Sequence, residues 1–263
     1  MSAETSRIGA SVSDRADLLL LLSVTLPPIA LNVFGPLVDE VTIETTYGTV
    51  GPIGLRERED GRAVWVEPYS GGPRRTDPRA TIIAAAQLGS RQILAWDTAI
   101  ALDSELQRGQ VAIVGDYIDW TCRSRSTFSR SDTPSEQIAF VSRRPAFCTR
   151  MTDALRQALP DAADVVYLAV DGPRRETAAE ARMMRAWGAD VTGLNLVPEV
   201  SLAQEAGICF GGMVTIADLA ADQAQPQAHG EVRASLGAAL SVLPALIDEL
   251  SLPGECLCAT TVG

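Results

Sequence analysis

The strongest constraint on the fold is a set of short, continuous apolar runs alternating with helix-like segments. Residues 18–24 open with five consecutive leucines and lead into Thr25-Leu26-Pro27-Pro28, where proline stops regular structure. A run that is apolar at nearly every position and too short for a core helix reads as a strand buried on both faces. Residues 92–96, 165–170 and 208–217 have the same character. Residues 81–88, 149–159, 177–187, 201–206 and 230–250 read as helices, with Gly89 and Gly188 as stop signals. Residues 38–45, 50–56, 63–66 and 111–117 complete the strands, the first two meeting at a Tyr47-Gly48 turn. This alternation predicts a single α/β domain with a mostly parallel central sheet and helices on both faces. Residues 15–263 are assigned to that domain, and the largely polar residues 1–14 to a flexible N-terminal segment. Ligands of such folds bind beyond the carboxyl ends of the strands, here after Leu22, Trp96, Val170, Val191 and Ala217.

Composition narrows the chemistry. All 22 basic residues are arginine and the one histidine is His229. Schiff-base chemistry, a P-loop lysine and multi-histidine zinc sites are therefore excluded. A net charge of −11 argues against nucleic acid and anionic membrane as partners, because both require a basic surface. Arg123, Arg125, Arg130, Arg143 and Arg144 lie among Ser, Thr and Asp in and beside a polar loop at 124–136, of a length that often covers a site. The longest apolar run, residues 18–26, is too short to span a bilayer, and no cationic leader precedes it. A cytoplasmic location is expected. No cofactor and no metal are expected either, since buried cysteines usually serve as small hydrophobes.

One stretch carries a recognisable order of motifs. Asp171-Gly172-Pro173-Arg174-Arg175-Glu176-Thr177-Ala178-Ala179-Glu180 is followed by Gly188-Ala189-Asp190 and then by Val197-Pro198-Glu199. In this order and spacing the blocks resemble the trimeric purine nucleoside phosphorylase and methylthioadenosine phosphorylase family. Cys256-Leu257-Cys258 is similar to a Cys-x-Cys near the end of some methylthioadenosine phosphorylases. The resemblance implies a nucleoside phosphorylase-like fold, a homotrimer and a small-molecule purine nucleoside substrate. It places Glu176 at the base-binding glutamate, Asp218 at the group contacting N7 of the base, and His229 beside the ribose 5′-hydroxyl. A carboxylate at 176 would accept a purine N–H, and a protonated Asp218 would assist the leaving base. Each also has a plain structural reading: Glu176 as a helix N-terminal acid, Asp218 as a cap, and His229 as the start of a helix.

The departures from the family say more. The Gly-rich phosphate loop is replaced by Ser23-Val24-Thr25-Leu26-Pro27-Pro28, in which only Thr25 keeps its hydroxyl at the matching place. Glu67, just before Pro68 and Tyr69, stands at or near the family's phosphate-site histidine. Asp97 enters the third phosphate element, and Leu194-Asn195 replaces a Met-Ser/Thr turn. Two like charges about 5 Å apart repel by roughly 3 kcal/mol at an effective dielectric near 20, so a dianion would be poorly received. Arg74 and Arg75 are the nearby rescue in sequence. On the base side, Arg175 replaces a stacking phenylalanine and offers a partner for an anionic group.

These features predict a phosphate-independent enzyme acting on a nucleoside or nucleoside-like metabolite, with Glu67, Asp97 and Asp218 as catalytic groups. Glu176, Arg175, Leu194, Asn195, His229, Thr25 and Tyr69 would bind substrate. The alternatives are a repurposed relative catalysing an isomerisation, cyclisation or elimination in specialised metabolism, and a catalytically dead binding subunit.

Overall fold

The computed structural model describes residues 15–68, 76–122, 126–128, 145–223, 229–251, 256 and 258, with the side chains of 229–235 set aside. The expected flexible segment 1–14, Tyr69, Arg74, Arg75 and most of the 124–136 loop with its arginines fall outside the described residues. Nine strands form one sheet: β1 (Leu18–Leu22), β2 (Leu37–Thr45), β3 (Gly48–Glu57), β4 (Ala63–Pro68), β5 (Gln92–Ala101), β6 (Val111–Trp120), β7 (Ala163–Val170), β8 (Val191–Gly193) and β9 (Cys209–Leu219). The helices are α1 (Pro78–Gln87), α2 (Thr149–Ala158), α3 (Ala178–Ala186), α4 (Glu199–Glu205) and α5 (His229–Leu250).

The strand order is β2-β3-β4-β1-β5-β8-β7-β6-β9, with β9 also pairing to β5. The second half of the sheet therefore curls round and closes on itself through β5, β8, β7, β6 and β9. The centre is parallel, as expected: β1 runs parallel to β4 and β5, and β5 to β9. A β2-β3-β4 antiparallel meander extends one side, and β5–β8 and β6–β9 are antiparallel closures.

The five leucines of β1 are buried at every position because the strand is covered on both faces. Leu19 and Leu21 pack with Trp65 and Ile93 in one core that also receives Ile82 of α1 and Val200 of α4. Leu18, Leu20 and Leu22 pack in a second core with Met151 of α2 and Leu243 of α5. Burying such a side chain stabilises the fold by roughly 1.5–3 kcal/mol relative to exposing it. Helices thus do cover both faces.

Two boundaries differ in a way that matters for the site. The sequence reading ends β5 at Trp96, whereas the strand continues through Asp97 to Ala101. Pairing with β9, where Asp97 sits opposite Val214, supplies the ladder that keeps this stretch extended. The three-residue β8 entered the sequence reading only as a strand end at Val191, with no range, because its pattern is too short to show a period.

Candidate functional site

Strands β1 and β4 end side by side, while β5 runs on past them. Leu21 lies opposite Glu67 on one neighbour and Ala95 on the other, so Glu67 and Asp97 flank the end of β1. Asp97 is fully buried. Its Oδ2 accepts a hydrogen bond from the Tyr167 hydroxyl at 2.9 Å, and its Oδ1 accepts from Asn195 Nδ2 at 2.9 Å and the Thr98 amide at 2.8 Å. The Asn195 amide approaches the same carboxylate at 3.3 Å and the Tyr167 oxygen at 3.1 Å. Burial pushes the Asp97 carboxyl above its ordinary range, while these donors pull it back. Burial and the Asp97 charge raise Tyr167, so its phenol stays a donor.

Tyr167 reaches this carboxylate because residue 193 is glycine. A Cβ on Gly193 would lie 2.4 Å from the Tyr167 hydroxyl oxygen. The short β8 therefore matters as a gap as much as a strand.

A third acid joins the group. Glu199 opens α4 behind Pro198, in the Val197-Pro198-Glu199 block. Burial raises its carboxyl to about 8, and the charges of Asp97 and Glu67 add to the rise. A helix N-terminus favours an anion by about 0.3–1 kcal/mol, and here burial outweighs it. Burial raises Glu67 to about 7. Glu67 Oε2, Glu199 Oε2 and Asn195 Oδ1 are buried without a hydrogen-bond partner. Among the described residues, no arginine forms an ion pair with Glu67, Asp97 or Glu199. The three acidic side chains thus form one electrostatically linked group, an inner chamber of carboxylates in which two oxygens have no partner among the described residues. Thr25, by contrast, is exposed in the loop after β1.

Beside this chamber lies a cavity of about 360 Å³, lined by Thr98, Trp120, Gly172, Arg175, Glu176, Thr192 and Leu194 among others. Thr98 and Leu194, which line the cavity, are the chain neighbours of Asp97 and Asn195. Thr177 and Glu180 form a capping box that starts α3 and fixes the preceding Arg175-Glu176 segment. Glu176 is buried and accepts from the Ala221 amide at 2.9 Å and from Arg175 at 3.2 Å. Arg175 is half-exposed and also donates to the Leu219 carbonyl at 2.7 Å and to Asp218 at 2.5 Å. Asp218 receives Arg108 on its other oxygen at 2.8 Å. Both of its oxygens are thus engaged by guanidinium groups.

Of the proposed binding residues, Arg175, Glu176 and Leu194 line the cavity, with Asp218 reaching its edge through Arg175. Glu67, Asp97 and Asn195 belong to the inner chamber. His229 begins α5, as its plain reading had it, and its side chain lies outside what is described. Sequence reasoning missed Glu199, Tyr167 and Gly193. Glu199 stood in a quoted motif, so its signal was present, whereas Tyr167 lay within an apolar run.

Residues 39–251 match the phosphorylase superfamily. A probable S-methyl-5′-thioinosine phosphorylase of Methanopyrus kandleri is 32% identical over 68% of this chain and 72% of that protein. An S-methyl-5′-thioadenosine phosphorylase of Pyrococcus abyssi is 33% identical, again over 68% and 72%. Among solved structures, a methylthioadenosine phosphorylase from an antarctic soil metagenomic library superposes with a TM-score of 0.82 at 24% identity, covering 94% of this chain and 91% of that one. The Schistosoma mansoni methylthioadenosine phosphorylase bound to adenine gives 0.80 at 21% identity, covering 91% and 93%.

Proposed function

The chain belongs to the phosphorylase superfamily, and from that premise we propose that it acts on a nucleoside or nucleoside-like small molecule without using phosphate. The observation that carries this reading is the group Glu67, Asp97 and Glu199, fully buried at Asp97 and partly buried at the two glutamates, each of which keeps one oxygen without a partner among the described residues. Among the described residues, a phosphate dianion entering such a chamber would meet acids rather than guanidinium groups. Water, or a hydroxyl of the substrate, meets acceptors that can take its proton.

The roles follow from the environments. Glu67, near 7, is poised to be a base at neutral pH. Glu199, near 8, holds a proton under the same conditions and keeps the chamber from carrying three charges. Asp97, fixed by Tyr167 and Asn195, orients the reacting group. In the cavity Glu176 accepts an N–H of the base, Leu194 packs against the sugar, and Arg175, held by Asp218, covers the ring or pairs with an anionic substituent. Thr25, Tyr69 and His229 are retained as substrate contacts. The reaction this supports is N-glycosidic cleavage by water or a related acid–base conversion.

Trp120 lines the cavity, is more than a third exposed, and stacks edge-on against the exposed Trp187 at 5.3 Å. This aromatic pair at the mouth supports a homotrimer in which a neighbouring subunit covers it. Among the described residues no helix is long and apolar enough to cross a membrane. A cytoplasmic enzyme without nucleic-acid partners is in keeping with the net charge of −11.

The test is incubation with adenosine, inosine and methylthioadenosine, with and without phosphate, followed by chromatography of free base. Base released equally in both conditions is the expected result. Release only with phosphate would return the chain to ordinary phosphorolysis. No release in either condition, with ligand still bound, would favour the repurposed-enzyme or binding-subunit alternatives.

A further inference from the structure

Four of the five cysteines converge although the sequence scatters them. Cys148 holds the N-cap position of α2, Cys209 opens β9, and Cys256 and Cys258 follow α5. Their sulfurs all lie within 4.8 Å of one another, and Cys209 Sγ is 3.1 Å from Cys256 Sγ. All four are free thiols. Sulfurs bound to one tetrahedral zinc at about 2.3 Å stand about 3.8 Å apart, so adjustments of about 1 Å or less would complete that geometry.

The surroundings suit a closed structural site. Cys148 is buried, and Cys256 and Cys258 pack against the α2–α5 core. As N-cap of a ten-residue helix, Cys148 faces the positive end of a dipole that favours thiolate. Arg150 reaches from α2 to the Leu250 carbonyl at 3.0 Å, fixing the point from which the cysteine pair departs. The group also lies apart from the cavity: Cys209 begins and Asp218 nearly ends the 11-residue β9.

We propose that Cys148, Cys209, Cys256 and Cys258 form a tetrathiolate site for a zinc-class divalent cation, clasping the segment after α5 to the starts of α2 and β9. Binding one M²⁺ releases four thiol protons and leaves a site of net charge −2, with no change of oxidation state. The cation is structural, because four protein sulfurs fill a tetrahedron and leave no position for substrate.

Protein purified with reductant, without chelator, from zinc-containing medium is analysed for metal and titrated with Co²⁺ after zinc removal. About one zinc per chain is expected, together with the sulfur-to-cobalt charge-transfer and tetrahedral d–d bands of a thiolate site. A thiol reagent should find Cys122 reactive in the native holoprotein, and the other four only after chelation. The Cys256→Ser/Cys258→Ser variant should lose the zinc and melt at a lower temperature. Should that variant fail to fold, the wild-type cobalt spectrum decides. The proposal is overturned if the wild-type protein retains no zinc and gives no thiolate–cobalt bands. It is overturned equally if the reduced preparation carries Cys–Cys bridges among these four by non-reducing mass spectrometry.

Discussion

The cavity and the chamber behind it contain the same kind of residue in opposite circumstances. At the cavity Glu176, Glu180 and Asp218 each meet a guanidinium group, from Arg175, Arg174 and the Arg108–Arg175 pair respectively. One layer inward, Glu67, Asp97 and Glu199 form no such pair among the described residues, and two of them leave an oxygen unpartnered. Paired carboxylates are held in place by their partners and can shape and orient a ligand. Without such partners Glu67 and Glu199 are raised to about 7 and about 8, and groups of that kind move protons. On the function proposed above, the outer set recognises the substrate and the inner one carries the chemistry.

The largest effect that would break this division is on turnover. Glu67→Gln should reduce kcat by about two to four orders of magnitude with no loss of thermal stability, since the charge it removes is partly desolvated. Full activity in this variant would move the chemistry out of the chamber.

Asp218→Asn sharpens the comparison from the other side. With its oxygens engaged by Arg108 and Arg175, Asp218 is expected to position rather than to donate a proton. Its replacement should raise KM by about tenfold, worth roughly 1.4 kcal/mol, and leave kcat nearly unchanged. A fall in kcat comparable to that of Glu67→Gln would show that the outer set shares in proton transfer.

A third, smaller effect concerns stability. Glu199 has an ordinary value of 4.5 and about 8 in the fold, and Glu67 moves from 4.5 to about 7. The folded chain therefore binds extra protons between those limits. The stability they provide is complete below pH 4.5 and is lost as pH rises through about 7 and then about 8. Glu199→Gln should match the wild type near pH 4.5 and melt about 5 °C higher at pH 8.5. Parallel melting curves across that range would mean that Glu199 is solvated.

Much of the outer site was legible because its residues are contiguous. Gly172 through Glu180 forms one turn and one capped helix start, so sequence spacing becomes spatial spacing directly. The inner chamber was only half legible. Glu67 and Asp97 stood out as acids at strand ends, but parallel strands brought together by β1 are what juxtapose them. Glu199 was quoted within a motif, yet its burial depends on where α4 packs. Tyr167 resembled its apolar neighbours in β7, and the space it occupies exists because Gly193 on another strand lacks a side chain. The cysteine group was hidden for the same reason: 148, 209 and 256 are distant in sequence, and the Cys-x-Cys pair alone does not reveal its companions.

The central claim is that acids have replaced the anion-binding groups at the strand ends, and inorganic phosphate tests it most directly. Thermal unfolding of the wild-type protein should show no rise in Tm as phosphate is raised through the millimolar range, beyond that produced by an equal ionic strength of chloride, because a ligand stabilises only the state that binds it. A saturable rise at millimolar phosphate would contradict the account.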